Sequence, residues 1–160
     1  MIIIADTSPI CYLVLIGEIE LLPQLFGKIL IPTSVYIELT AKGSPPEVQT
    51  WINTPPTWLE IRSVTMLDDP QLKHLHPGEK EAILLAEQLQ ADLIILDEKA
   101  ARKAAQQKKL KVTGLLGILD VAASQNLVDI PSAILALQKT NFRAASKLLT
   151  SLLNRHQISD

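Results

Sequence analysis

Hydrophobic residues along this chain occur in short, uninterrupted runs separated by longer stretches with helical spacing. The runs are IIIA at 2–5, KILI at 28–31 and LIIL at 93–96. Short aliphatic runs without alternation are typical of strands that are covered on both faces of a parallel sheet. LEIRSV at 59–64 and KVT at 111–113 predict two further strands.

The stretches between these runs carry helix signals. Thr7, Ser8 and Pro9 supply hydroxyl caps and a proline in the first turn, which predicts a helix to about Ile16. Further helices are predicted at 18–26, from Pro32 onward, at 79–90, at 98–109 and from Gly114 to Ser124. Residues 43–58 hold four of the ten prolines, so we expect a flexible edge there, with 47–52 as a candidate short helix.

Alternation of strands and helices predicts an α/β fold, a three-layer α/β/α sandwich with a mostly parallel central sheet and right-handed crossovers. A chain of 160 residues is long enough for one well-buried core. We expect one domain over residues 1–130. Residues 131–160 form a C-terminal helical extension in this interpretation, packed on the same domain or on a partner.

Composition narrows the classes of function. The chain is 48% hydrophobic, yet no apolar run approaches the ~20 residues of a membrane span, and the N-terminus lacks a secretion signal, so a cytoplasmic protein is expected. The single cysteine, Cys11, argues against a disulfide or a thiolate zinc site. A net charge of −2 disfavours bulk electrostatic coating of nucleic acid, although a local basic patch spans Lys99 to Lys111.

Acidic residues follow two of the predicted strands. Open α/β sheets bind their ligands at the carboxyl ends of the strands, which is where these acids lie. Asp6 follows the first run, and Asp97 follows LIIL. Helices add Glu38 and either Glu79 or Glu81. Taking Ala82 as the buried reference, Glu79 lies about 60° away beside the apolar stripe and Glu81 about 100° away on the other side, so Glu79 points more nearly inward, but both remain candidates.

Semi-buried carboxylates in a cluster either have raised pKa values or are neutralised by a cation. An all-oxygen set suits Mg²⁺ or Mn²⁺, and such ions support phosphodiester hydrolysis. Each acid also has an ordinary alternative role, as a helix cap, as a partner of the helix dipole or as a solvated side chain. Four acids at one end of one sheet favour the metal site.

The same segments resemble the PIN-domain nucleases, most closely their VapC-like toxin ribonuclease branch. The resemblance is carried by IIIADTSP, PTSVYIEL, HPGEKEAILLA, ADLIILDEKAARK and KVTGLLGIL, in that order. It implies that the metal-holding, catalytic positions are Asp6, Glu38, Glu79 (or Glu81) and Asp97, with Ser8 supporting the first acid. The chain departs from the pattern by offering Glu at the third position and by placing Glu98 directly after Asp97.

The resemblance also implies a Mg²⁺- or Mn²⁺-dependent hydrolase that acts on RNA, a homodimer, and a small antitoxin partner if the chain is a toxin. Lys99, Arg102 and Lys103 directly follow Asp97 and are the candidate RNA-binding cations. Two alternatives stay open: a PIN-like binding or regulatory protein with a reduced metal site, and a phosphatase or receiver domain. The second lacks a DxD start and a well-placed lysine.

Overall fold

The computed structural model describes residues 1–156 and contains a five-stranded sheet in which all four strand pairings are parallel. The strands are β1 (Ile3–Ala5), β2 (Ile29–Pro32), β3 (Leu59–Arg62), β4 (Leu93–Ile95) and β5 (Val112–Thr113), in the order β3-β2-β1-β4-β5. The predicted α/β/α sandwich with a parallel central sheet is confirmed.

Nine helices occur among residues 1–156, in addition to a 3₁₀ turn at Pro70–Leu72. They are α1 (Thr7–Leu15), α2 (Leu21–Phe26), α3 (Thr33–Thr40), α4 (Pro46–Asn53), α5 (Pro77–Leu89), α6 (Lys99–Gln107), α7 (Leu115–Ser124), α8 (Ile130–Gln138) and α9 (Ser146–Arg155). Most match the predicted stretches to within a few residues.

Alternating strand residues divide the core into two layers. Ile3 and Ala5 of β1 face a cluster built with α1–α4 and α7–α9, whereas Ile4 faces a second cluster built with α5 and α6. All three side chains have no exposed surface. The uninterrupted aliphatic runs in the sequence follow from this burial on both faces.

The proline-rich stretch contains the candidate short helix predicted at 47–52, but this helix is packed on the core and the stretch is not a flexible edge. Its centre is α4, whose Val48 and Ile52 are fully buried in the larger cluster. Pro46 is the first residue of this helix, a position where the missing N–H costs nothing and the fixed φ favours helix entry. The prolines therefore lie at the two ends of a packed helix.

The C-terminal helices pack on the rest of the chain. Ile134 and Leu137 of α8 and Leu152 of α9 belong to the larger core cluster, and Leu152 is 1% exposed. Among the residues that the structure describes, no helix has the length and apolar character that a membrane crossing requires.

Candidate active site

The sheet order places a topological switch point at β1 and β4. From β1 the chain continues to β2 and β3 on one side and returns to β4 on the other. Ala5 pairs with Ile95, and the Asp6 N–H donates to the Ile95 carbonyl at 3.1 Å. Asp6 and Asp97 thus leave neighbouring strands at the same edge, which is where open α/β sheets bind ligands.

Asp6 is buried, with 4% of its surface exposed. It occupies the N-cap position of α1, yet its carboxylate accepts no capping hydrogen bond, and Oδ1 has no partner among the described residues. Burial, with the negative charges of Glu79, Glu38 and Asp97, raises the pKa of Asp6 from 3.8 to about 7. Simple helix capping therefore does not account for this carboxylate.

Glu38 projects from the last turn of α3 and is held by two donors. The Thr7 hydroxyl donates to Oε1 at 2.6 Å, and the Gly78 N–H donates to Oε2 at 2.9 Å. A Cβ at position 78 would lie 2.7 Å from both oxygens, so glycine is what allows α5 to approach this carboxylate. The contact joins α1, α3 and α5 around one acid.

The two candidates for the third acid, Glu79 and Glu81, have different surroundings in the structure. Glu79 is 5% exposed, accepts a 3.1 Å hydrogen bond from the His76 N–H, and lines a cavity with Asp6 and Glu38. Burial, with Glu98 and Glu38, raises the pKa of Glu79. Glu81 instead accepts the Ser34 N–H at 3.1 Å, in the first turn of α3.

Asp97 follows β4 in the sequence, and its side chain contacts the first residue of α7. Its Oδ1 accepts the Leu115 N–H at 2.8 Å, while Oδ2 is buried without a partner in the described part of the chain. Burial raises the pKa of Asp97, against the opposing effect of Arg102. Gly114 allows this close packing, since a Cβ there would lie 2.8 Å from Asp97 Oδ1.

Two adjoining cavities at this edge form what we call the groove. Its acid end, of about 470 Å³, contains Asp6, Glu38 and Glu79, and its basic end, of about 550 Å³, contains Asp97, Arg102 and Arg143. The residues that line both cavities are Ser8, Tyr12, Glu98 and Asn141.

Several groove residues were absent from the predicted site. His76 is exposed, but it also lines the acid end, and its backbone N–H donates to the Glu79 carboxylate. Its position just before the helix that carries Glu79 was the available signal. Tyr12 and Asn141 carried no signal, because the sequence does not show that their segments meet. Cys11 also lines the acid end, where burial raises the pKa of its thiol to about 11, which keeps it protonated.

The predicted RNA-binding cations point in different directions. Arg102 lines the basic end of the groove, whereas Lys103 borders a separate shallow hollow with His74. Lys99 and Lys103, four residues apart on α6, are both exposed. Only Arg102 is therefore placed directly beside the acids.

The donor chemistry of the site fits a hard divalent cation. Asp6 Oδ1 and Asp97 Oδ2 are buried carboxylate oxygens that lack partners, and four acids influence one another's charge. Among residues 1–156, however, no three His, Cys, Asp or Glu side chains lie close enough together to enclose one ion. Binding of a cation would thus require side-chain adjustment at this edge.

Comparison with known proteins gives a family and a fold. A family model described as a PIN domain (DUF3368) matches residues 2–157. No curated protein sequence matches the chain significantly. Among solved structures, the chain is similar to a PilT N-terminus domain protein from the hyperthermophilic archaeon Sulfolobus solfataricus, with 18% sequence identity and a TM-score of 0.56 over 76% of this chain and 93% of that one. At this identity the likeness is one of fold.

Proposed function

The chain belongs to the PIN-domain family, whose members are generally nucleases that use divalent metal ions, and on that premise we propose that it is a Mg²⁺- or Mn²⁺-dependent endoribonuclease. The observation that carries the proposal is Asp6: a buried carboxylate at the switch point, with an unpartnered oxygen and a pKa raised to about 7 beside three other acids. Such a group is costly to fold unless it serves a ligand.

In this proposal Asp6 and Asp97 hold the cation through their unpartnered oxygens, and Glu38 and Glu79 complete the acid end. A bound divalent ion supplies a water of lowered pKa and neutralises charge that develops on the phosphate. Thr7 and Gly78 fix the Glu38 carboxylate, and the His76 N–H fixes that of Glu79. These donors keep the acids in place before substrate arrives.

Incubation with mixed single-stranded RNA and Mn²⁺, followed by mapping of the RNA ends, tests the activity. We expect Asp6→Asn to abolish most of the cleavage, because it removes a charged oxygen ligand of the proposed cation. Asp68→Asn is the matched control, because Asp68 is an exposed loop acid. Equal cleavage by the wild type and Asp6→Asn would reject the proposal.

The third acidic ligand is proposed to be Glu79. It lines the groove, whereas the Glu81 carboxylate binds the first turn of α3. Glu79→Gln should therefore lower cleavage and Mn²⁺ affinity far more than Glu81→Gln does. The reverse order would assign the ligand to Glu81.

RNA binding is proposed to use Arg102 foremost, with Lys99 and Lys103 contributing long-range attraction. Charge reversal at all three should weaken RNA binding and make its salt dependence shallower. Unchanged binding would remove these cations from the proposal.

The proposal extends to the toxin role and the homodimer that the VapC-like resemblance implies. Induced expression in a bacterial host should arrest growth for the wild type and not for Asp6→Asn, and sedimentation should give twice the monomer mass. Normal growth with the active wild type would leave a ribonuclease without a toxin role.

A second candidate is a PIN-like binding or regulatory protein, favoured by the way the carboxylates of Glu38, Glu79 and Asp97 are each bound by protein donors. Calorimetric titration with Mn²⁺ separates the two. An active nuclease should bind the ion through Asp6 and Asp97, and a reduced protein should bind RNA without it.

A further inference from the structure

The basic end of the groove contains two arginines that come from distant parts of the chain. Arg102 lies on α6, and Arg143 lies in the segment between α8 and α9. Neither forms a salt bridge with any residue in the range 1–156, although Asp97 and Glu98 line the same cavity. Both guanidinium groups thus keep their donors for a ligand.

The position of Arg143 is set by α1, the helix that Asp6 precedes. The Tyr12 hydroxyl donates to Asn141 Oδ1 at 2.8 Å. Its ring meets that of Phe142 edge-on, with centroids 5.1 Å apart and an interplanar angle of 75°. These two contacts anchor the residues immediately before Arg143 across the groove.

The ligand for such a pair is an anion that also reaches the acids. Arginine binds phosphate oxygens through a planar fork of N–H donors. An RNA strand approaching the acid end meets the carboxylates of Asp6, Glu38 and Glu79, and a chain with a net charge of −2 offers little general attraction. Cations inside the groove are therefore needed to hold the backbone against this repulsion.

We propose that Arg102 and Arg143 form a phosphate subsite that binds the nucleotide next to the scissile bond of single-stranded RNA. Tyr12 is a positioning residue, which acts through Asn141 and Phe142 to keep Arg143 over the groove. This inference rests on the proposed ribonuclease function and adds to it a substrate-binding role for the C-terminal segment.

Binding of a fluorescein-labelled single-stranded RNA, measured by anisotropy in EDTA, tests the subsite separately from cleavage. All variants are made in the Asp6→Asn background, and KCl is varied between about 50 and 200 mM. Arg143→Gln and Arg102→Gln should each make the slope of log K against log salt shallower by about 0.7, the contribution of one phosphate contact on a single strand. The double variant should lose about twice that amount.

Two further arginine variants serve as controls, and Tyr12→Phe tests the positioning role of Tyr12. Arg155→Gln also removes an arginine from the C-terminal region, but Arg155 pairs with Asp120 at 3.4 Å and lies outside the groove, so the slope should stay unchanged. Arg143→Lys should keep the slope, because the charge is retained. Tyr12→Phe should weaken binding several-fold with the ring contact intact. Thermal unfolding verifies that each variant is folded.

The outcomes separate this inference from the proposed function. If RNA is bound and cleaved but Arg143→Gln leaves the slope unchanged, the subsite is wrong and the ribonuclease stands. If Arg155→Gln lowers the slope as much as Arg143→Gln does, the effect is general electrostatics and the subsite is again wrong. If the wild type neither binds nor cleaves RNA, both proposals fail together.

Discussion

The two ends of the groove differ in their charged residues and are built in different ways: acids line one end, whereas at the other two arginines lie beside Asp97 and Glu98. At the acid end, Asp6 and Glu79 are about 95% buried, and Glu38 and Glu79 are held by hydroxyl or backbone donors. At the basic end, Arg143 is exposed and comes from a segment between two helices. The acids of one end are therefore buried, whereas Arg143 at the other end lies on the surface.

The difference indicates which residues of the groove lower the stability of the folded protein. Burial of several neighbouring carboxylates destabilises the folded state, because they lose hydration and repel one another. The exposed Arg143 remains hydrated and costs little folding free energy. Substitutions of the buried acids should therefore change stability and activity together, whereas substitution of the exposed Arg143 should change binding alone.

The largest effect on stability is expected for Asp6→Asn. Because the pKa of Asp6 is about 7 when folded and 3.8 ordinarily, the folded protein holds a proton that the unfolded chain loses between these values. Wild-type stability in EDTA should therefore fall as pH rises from about 4 to 7, by up to about 4 kcal/mol from this group. Asp6→Asn should remove most of that fall in urea unfolding measured across the pH range.

Asp68→Asn controls for the loss of one negative charge, since Asp68 is exposed and should leave the pH dependence as it is. Residual pH dependence in Asp6→Asn has the same sign, because the pKa values of Glu79 and Asp97 are also raised. The same pH dependence in the wild type and Asp6→Asn would contradict this description of the acid end.

Divalent ions should reverse this penalty. At a concentration about 100 times the dissociation constant, Mn²⁺ should stabilise the wild type by about 2.7 kcal/mol at pH 8. The gain should be much smaller in Asp6→Asn, and it should be unaffected by Arg143→Gln at the other end of the groove. Equal gains in the wild type and Asp6→Asn would place ion binding outside the acid end.

Gly78→Ala tests the contact that fixes Glu38. The new Cβ would lie 2.7 Å from both carboxylate oxygens, so Glu38 or α5 must move. Displacement of the Glu38 carboxylate would break its hydrogen bonds from Thr7 and Gly78, and a hydrogen bond to a charged group is worth about 1.5–3 kcal/mol, which exceeds the helix preference for alanine of about 1 kcal/mol. Gly43→Ala is the matched control, because a Cβ there meets no atom within 4 Å. In the Glu38→Ala background Gly78→Ala should no longer destabilise the protein, and an equal cost in both backgrounds would contradict the proposed clash.

The approach of Asp6 to Asp97 could be predicted from the sequence, because it follows from the sheet topology. Asp6 and Asp97 each follow an aliphatic run, and parallel strands place their carboxyl ends at one edge. Helical phase favoured Glu79 over Glu81, and the structure places Glu79 in the groove. The hydrogen bonds that fix Glu38 were not predictable, since they depend on the distance between α3 and α5.

The basic end was only half predicted, for a physical reason. Arg102 follows Asp97 closely in sequence, so its approach to the groove is local. Arg143 reaches the same cavity through the packing of α8 and α9 and the contact of Tyr12 with Asn141, 129 positions apart. No periodicity or spacing in the sequence encodes such a contact.

The smallest effect is expected at Glu98, which lines both cavities and separates the two ends. Its charge contributes to the raised pKa values of Glu79 and Asp97, but the side chain is exposed, so solvent screens it. Glu98→Gln should shift the pH dependence of unfolding slightly toward lower pH and tighten RNA binding in the Asp6→Asn background. A loss of Mn²⁺ affinity as large as that of Glu79→Gln would instead make Glu98 a ligand and extend the acid end to the boundary of the arginines.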